Sequence, residues 1–387
     1  MNSILTTNII EITSSCKACD HCISHCPADA IAGRLGEQHH IDYSKCLNCG
    51  QCLINCPFGA IHDLSSVEQV YEALNNPALT VVVQIAPAVR VALGEEFGLA
   101  PGTNVKHKMY ASLRRLGFDK VYDTEFTADL TIMEEGTELI HRVYSHLGLE
   151  GYEDKGPLPQ FTSCCPAWIK YAEDNFPAIL PHISSAKSPQ QMFGPLAKTY
   201  LAQKLNIDPD KMVVVSVMPC TAKKYECDRP EMIASGHKDV DFVVTTRELA
   251  RMIKQQHIDF LDLPDENADK FIGLSTGAAT IFGATGGVME AALRTAYEIL
   301  SEEKLDKVEF EAVRGLAPVR EASVDIPVKS LNTALPVNVC IVTGTQHVKD
   351  VIEDVLAGRS PYHFIEVMNC PGGCINGGGQ PIRRDTY

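Results

Sequence analysis

The sequence predicts a small α+β N-terminal domain followed by a larger α/β domain with mostly parallel sheets. Two observations carry this reading. Cysteine runs at 16–27 and 46–57 repeat one another before any long apolar segment begins. From residue 79 onward, short β-branched runs alternate with helical periodicity, as in a parallel sheet with crossover helices.

The N-terminal runs read CKACDHCISHCP and CLNCGQCLINCP. Each is a C-x2-C-x2-C-x3-C-P run, the spacing of bacterial two-cluster ferredoxins. A zinc ribbon would show two CxxC pairs and a longer spacer, so a cubane suits the spacing better than zinc. In such ferredoxins the fourth cysteine of each run crosses to the other cluster. That pattern assigns Cys16, Cys19, Cys22 and Cys56 to one [4Fe-4S] cluster, and Cys26, Cys46, Cys49 and Cys52 to a second. Residues 1–63 therefore read as a ferredoxin-like α+β domain with little core, held folded by its clusters. A partly helical connector, 64–78, ends at Asn75-Asn76-Pro77.

Residues 79–387 form the larger domain. Strand-like runs appear at Val81–Ala86, Gln160–Thr162, Val213–Val217, Phe242–Thr245, Val337–Thr343 and His363–Val367. Helical patterns follow at Pro166–Asn175, Arg247–Gln255 and Gln346–Ala357. Sites in such sheets lie at the carboxyl ends of strands. Cys164 and Cys165, Cys220, and Cys370 each follow a strand, which is expected to deliver cluster ligands to one crevice. Asp129–Leu147 reads as a helix with Glu135, Glu138 and Arg142 at i, i+3 and i+7, hence on one face. The segment from Gly283 to Val288 precedes a helical run but lacks the lysine of a phosphate loop, so it reads as a helix entry. At the end stands EVMNCPGGCINGGGQP, residues 366–381, with Cys370 and Cys374 four apart. Its glycines allow a bulky inorganic group to approach the backbone.

Composition narrows the function class. A net charge of −15 argues against nucleic acid as partner. No apolar run reaches the roughly 18 residues of a membrane span, and residues 1–15 lack the n-region of a secretory signal. This predicts a cytoplasmic protein, or a periplasmic one if the export signal lies on a partner subunit. Fifteen cysteines in such a chain suit metal ligation better than disulfides.

The segments FTSCCPAW (161–168), MPCTAKKYE (218–226) and EVMNCPGGCINGGGQP together resemble the motifs of the iron-only hydrogenases. The resemblance implies reversible conversion of protons and electrons into H2 at an H-cluster. This is a [4Fe-4S] cubane bridged to a two-iron unit bearing CO, CN⁻ and an azadithiolate. It assigns the cubane to Cys165, Cys220, Cys370 and Cys374, with Cys374 bridging. It places Lys223 and the Pro87-Ala88 segment near the two cyanides. Met218, Met368, Phe282, Pro189 and Gln190 become walls of the pocket. It also implies a proton route from Arg142 through Glu138, Ser184 and Glu135 to Cys164.

Further implications concern partners. Low-potential clusters near −400 mV match an H⁺/H2 couple at roughly −410 mV at neutral pH, so a ferredoxin or cytochrome is the expected carrier. Maturation factors build the two-iron unit. Single-chain members continue beyond GGGQP, whereas this sequence stops at Tyr387, so a separate small subunit or other partner is expected. Two other functions share the fold: a non-enzymatic iron–sulfur assembly protein and an H2 sensor.

Overall fold

The structure, a computed structural model, describes residues 8–149, 151–270, 272–273, 275–305 and 313–382. The chain divides into two compact units. The first comprises Met1–Thr127, Pro189–Ser275 and Cys374–Tyr387; the second comprises Ala128–Ser188 and Thr276–Gly373.

The first unit begins with β1 (Ile10–Ile12), β2 (Ile31–Ala32), β3 (His40–Ile41) and β4 (Ile61–Asp63). β1 pairs antiparallel with β4 and β2 with β3. Two one-turn helices, His21–Ser24 and Gln51–Ile54, sit in equivalent places of the two cysteine runs. Among the described residues a small apolar cluster, including Ile9, Ile10, Ile31, Leu53 and Ile61, supports this α+β module.

The same unit holds β5 (Thr80–Ile85) and β6 (Lys120–Asp123). The second unit contributes β7 (Gln160–Phe161), and the chain then returns to the first for β8 (Met212–Met218) and β9 (Phe242–Thr245). The first sheet runs β6-β5-β8-β9 and every pairing is parallel. Burial on both faces explains the nearly continuous valine runs of β5 and β8. Gln84 interrupts that apolar pattern without cost to hydrogen bonding. Its amide donates to Gln190 O (3.0 Å) and Ser216 Oγ (2.8 Å), and its carbonyl accepts from Thr124 Oγ1. Helix Thr246–Gln255 starts with a capping box between Thr245 and Glu248, worth about 1 kcal/mol.

The second unit completes its sheet with β10 (Val319–Val328), β11 (Thr333–Thr343) and β12 (Phe364–Met368), in the order β10-β11-β12-β7. β11, β12 and β7 are parallel, whereas β10 and β11 form an antiparallel hairpin. The hairpin is a departure from the expected alternation. Polar residues spaced along β10 mask it as a strand, because its outer positions face solvent. Helix Glu125–His146 starts four residues before the expected Asp129 and ends one before Leu147. Pro166–Asn175 and Phe242–Thr245 keep their expected bounds. The expected Gln346–Ala357 helix is shorter, with a 3-10 turn at Thr345–His347 before Lys349–Leu356.

Candidate metal centres and proton route

The two cysteine runs repeat in conformation as well as sequence. Ala18, Asp20 and Asp29 have positive φ, and so do Asn48, Gly50 and Gly59, each thirty residues later. A left-handed conformation costs a non-glycine residue about 1–2 kcal/mol. Such turns aim successive N–H groups into a concavity suited to an anion, including an iron–sulfur centre. Backbone N–H groups of Ala18, Ala30 and Ala60 already donate to the thiols of Cys16, Cys26 and Cys56 at 3.2–3.4 Å.

Burial and mutual repulsion link the thiols in two groups. Cys22 is pushed up to about 11 by burial and by the neighbouring Cys16, Cys19 and Cys56. Cys52 is raised by burial and then chiefly by Cys49, Cys46 and Cys26. Cys26, Cys46, Cys49 and Cys52 also line one cavity with Ile10 and Ala30. Four thiols crowded in this way repel one another as anions, and an iron–sulfur cubane is a group that such a donor set fits. Cys19, of the other quartet, is exposed.

The second quartet's loop is locked to the rest of its unit. Thr221 Oγ1 donates to Asn48 O at 2.6 Å, and Gln51 Nε2 to Asn376 O at 2.9 Å. A Cβ on Gly378 would lie 2.2 Å from Cys49 O, and one on Gly377 the same distance from Pro219 O. These glycines therefore serve the close approach of protein backbone, where the sequence suggested room for an inorganic group. The contact brings the Asn48–Gln51 loop to residues flanking Cys220 and Cys374. Lys224 and Arg247 clamp the module further through Asp63, at 2.7 and 3.1 Å.

Around Cys220, the lysine pair is not a surface feature. Lys223 is largely covered and its Nζ donates to both oxygens of Glu226 at 2.9 Å. Gln190 Nε2 donates to the same carboxylate (3.0 Å) and to Lys223 O (3.2 Å). Pro189 opens the helix that presents Gln190. Met218 is buried at the end of β8, and Pro87-Ala88 begins a 3-10 turn directly after β5. Ala88 O accepts from Gln380 Nε2 at 3.1 Å. Arg90 anchors that turn by ion pairs to Glu125 (2.7 Å) and Asp123 (2.8 Å).

Within the second unit, Cys164 and Cys165 diverge. Cys165 caps helix Pro166–Asn175 and packs toward the cluster of Phe161, Trp168 and Val367. Cys164 packs instead against the cluster containing Phe282, Met368, Ile132 and Val288. Cys370 is buried just beyond β12.

The face of helix Glu125–His146 that carries Glu135, Glu138 and Arg142 is buried, not solvated. Arg142 Nη2 donates to Glu138 Oε1 at 2.6 Å, and Ser184 Oγ to Glu138 Oε2 at 2.8 Å. Glu135 Oε1 accepts from Ser163 N at 3.2 Å, one residue from Cys164. Burial pushes Glu135 up to about 8, against the opposing pull of its hydrogen bonds. A carboxyl so placed exchanges a proton near neutral pH.

Sequence reasoning passed over Glu226, Ser163, His39 and Glu366. Glu366 is fully buried in β12 and accepts from Gly286 N and Met289 N, both at 2.7 Å, at the start of helix Gly287–Ser301. Burial raises it to about 7 although those amides favour its anion. A lone acid inside the apolar strand FIEVM was the available signal.

Comparison with known proteins decides the family. Residues 79–378 match the C-terminal domain of the iron-only hydrogenase large subunit, and residues 40–61 match a 4Fe-4S binding domain. The chain belongs to the iron-only hydrogenase family. It is 51% identical over 371 residues to the periplasmic [Fe] hydrogenase large subunit of Nitratidesulfovibrio vulgaris, spanning 95% of this chain and 85% of that protein. It is 54% identical over 323 residues to the NADP-reducing hydrogenase subunit of Solidesulfovibrio fructosivorans, spanning 84% of this chain but only 54% of that relative. A solved [FeFe]-hydrogenase variant from Chlamydomonas reinhardtii superposes with TM-score 0.72 at 41% identity, over 82% of this chain and 85% of the other. At 34% identity over 307 residues stands cytosolic iron-sulfur assembly component 3 of Pongo abelii, which the chain covers to 62%. The cofactors of this hydrogenase family are iron–sulfur clusters and the H-cluster. No helix among the described residues is long and apolar enough to cross a membrane.

Proposed function

We propose that this chain catalyses 2H⁺ + 2e⁻ ⇌ H2, with electrons passing through residues 1–63 and the connector 64–78 to a catalytic domain over 79–387. The observation that carries the reading is the buried series Arg142, Glu138, Ser184 and Glu135 ending beside Cys164. An assembly protein has no need of a proton route of this kind, and a sensor needs none tuned for turnover.

The twelve ligand cysteines take the roles expected from their motifs. Cys16, Cys19, Cys22 and Cys56 hold an outer [4Fe-4S] cluster, and Cys26, Cys46, Cys49 and Cys52 an inner one. Crowding of each quartet and the exposure of Cys19 support that order. Cys165, Cys220, Cys370 and Cys374 hold the cubane of the H-cluster, which when bound supplies the redox chemistry of the reaction. The Thr221 and Gly378 contacts give the inner cluster a short route toward Cys220 and Cys374.

The chain's own residues manage charge and protons. Lys223, held by Glu226, presents a cation to an anionic diatomic ligand, while Pro87-Ala88 offers backbone. Met218, Phe282, Met368, Pro189 and Gln190 exclude water, which strengthens the electrostatics inside. Arg142 and Glu138 hold the outer end of the proton route, Ser184 links the two acids, and Glu135 passes the proton to Cys164 Sγ.

A low-potential ferredoxin or cytochrome supplies or removes electrons, maturation factors install the two-iron unit, and a small subunit or other partner binds the chain. The chain works in the cytoplasm or, with a partner that carries an export signal, in the periplasm, the compartment named for the N. vulgaris relative. The test is production with and without the maturation factors. Matured protein should show infrared bands of metal-bound CO and CN⁻ and evolve H2 from reduced viologen. Protein made without them should hold cubanes only and be inactive. Bands without turnover would favour a sensor, and turnover without the bands would refute the H-cluster assignment.

A further inference from the structure

The two N-terminal cysteine runs repeat with a thirty-residue offset, yet their surroundings differ. His39 Nδ1 lies 3.5 Å from Cys22 Sγ. The equivalent residue thirty positions later is Gln69, which lies outside the repeat in helix Val67–Leu74. So one quartet has an imidazole built into its sulfur shell by a residue the repeat does not duplicate.

Several independent contacts hold that ring in place. His39 is 2% exposed although it belongs to an otherwise open hairpin. Its Nε2 is 2.8 Å from Asp20 Oδ1, without hydrogen-bond alignment. Asp20 itself has φ +61, the left-handed turn between Cys19 and Cys22. On the other side the backbone of Gly33 closes over the ring: a Cβ there would lie 2.1 Å from His39 Cδ2. A side chain packed this closely cannot swing away without moving β2 and β3.

We propose that His39 is a positioning residue that donates Nδ1–H to the Cys22 sulfur and thereby raises the reduction potential of the outer cluster above that of the inner one. The inference rests on the reading that Cys16, Cys19, Cys22 and Cys56 hold a [4Fe-4S] cluster. A cluster-bound thiolate carries no proton and can only accept, so a hydrogen bond at this contact requires the proton on Nδ1. Donation to a cluster sulfur withdraws electron density and stabilises the reduced cluster, which is one of the recognised determinants of its potential. The outer cluster then holds an arriving electron more firmly than spacing alone would allow.

The experiment uses the full chain with its clusters reconstituted. His39→Phe removes the donor and keeps an aromatic ring. A redox titration followed by electron paramagnetic resonance should show one cluster shifted to lower potential and the other unchanged. His39→Asn, whose amide N–H can reach the Nδ1 position, should recover part of the shift. A second measurement needs no variant: in wild-type protein labelled with ¹⁵N-histidine, the reduced outer cluster should show hyperfine coupling to one imidazole nitrogen. Unchanged potentials in His39→Phe, or no ¹⁵N coupling in the wild type, would overturn the proposal. Failure of the underlying ligand assignment looks different: Cys22→Ser would then leave the iron and sulfide content of the module intact.

Discussion

Under the proposed function, the N-terminal module and the Ala128–Ser188 segment serve electron and proton delivery by opposite structural means. In the module every assigned ligand lies within a twelve-residue run, and the thiols of Cys16, Cys26 and Cys56 accept from backbone N–H groups two or four residues away. In the other segment Glu138 meets Ser184 across 46 positions and Glu135 meets Ser163 across 28. Ligand chemistry therefore leaves a spacing rule in the sequence. Proton transfer leaves only a pattern of burial, and that is settled by what packs against the helix.

The contrast also concerns what holds each region up. The module has a small apolar cluster and spends conformational energy on left-handed turns at Ala18, Asp20 and Asn48. Residues 128–188 contribute to apolar clusters built on Trp168, Leu139 and Ile132. The largest expected effect follows. Removing iron by chelation should abolish amide-exchange protection across residues 8–63, because metal binding and folding are one equilibrium in so small a core. Protection along helix Glu125–His146 should persist. Full protection of residues 8–63 in iron-free protein would break the comparison.

The second prediction probes the proton side. Arg142 donates to Glu138 and to the carbonyls of Pro157, Pro181, His182 and Ile183 at 2.6–3.3 Å. Arg142→Met leaves the Glu138 carboxylate buried without its cation, a loss of about 3–5 kcal/mol. A lowered denaturation midpoint should report it, and adding Glu138→Gln should restore part. If the double variant were as unstable as the single one, the pairing would not be the cause.

How far the sequence revealed each region follows the same division. The repeated cysteine runs were readable from spacing, and helix Pro166–Asn175 from its periodicity and N-terminal proline. The face of Glu135, Glu138 and Arg142 was visible as a stripe, but periodicity cannot tell a buried charged stripe from a solvated one. Glu226, Glu366 and His39 escaped for a related reason. Each acts on a partner fixed by the fold, and only Glu226 has that partner, Lys223, nearby in sequence. Gly377–Gly379 were recognisable as necessary, yet their cause, contact with the Cys49 and Pro219 backbones, lies in elements far along the chain.

A pH experiment sharpens the comparison. Glu135 rises from an ordinary carboxyl value to about 8 in the folded protein, chiefly through burial. The native state therefore binds its proton more tightly than the unfolded chain does. Its contribution to stability is intact below about pH 4.5, declines as pH rises, and is lost above pH 8. Glu135→Gln should remove this dependence, so the variant gains on the wild type between these limits by at most about 5 kcal/mol. Parallel stability curves for the two proteins across that range would show that Glu135 titrates normally. Turnover should fall in the same variant, since an amide carries no exchangeable acid proton for the route.

The smallest free-energy effect tests the point where the two modes of encoding meet, the adjacent pair Cys164 and Cys165. Both are read from one motif, but they point into different apolar clusters, one with Trp168 and the other with Phe282 and Met368. Cys165→Ser should behave like a change in the module: the cubane is damaged and iron content falls. Cys164→Ser should behave like a change in the proton route, with every cluster and the infrared bands retained. Its cost arises because a hydroxyl is a far weaker acid than a thiol, whose ordinary pKa is near 8.5. Turnover should drop at least about tenfold, equivalent to ~1.4 kcal/mol in the barrier. Wild-type turnover in Cys164→Ser would remove Cys164 from the route, and cluster loss in that variant would make it a ligand after all.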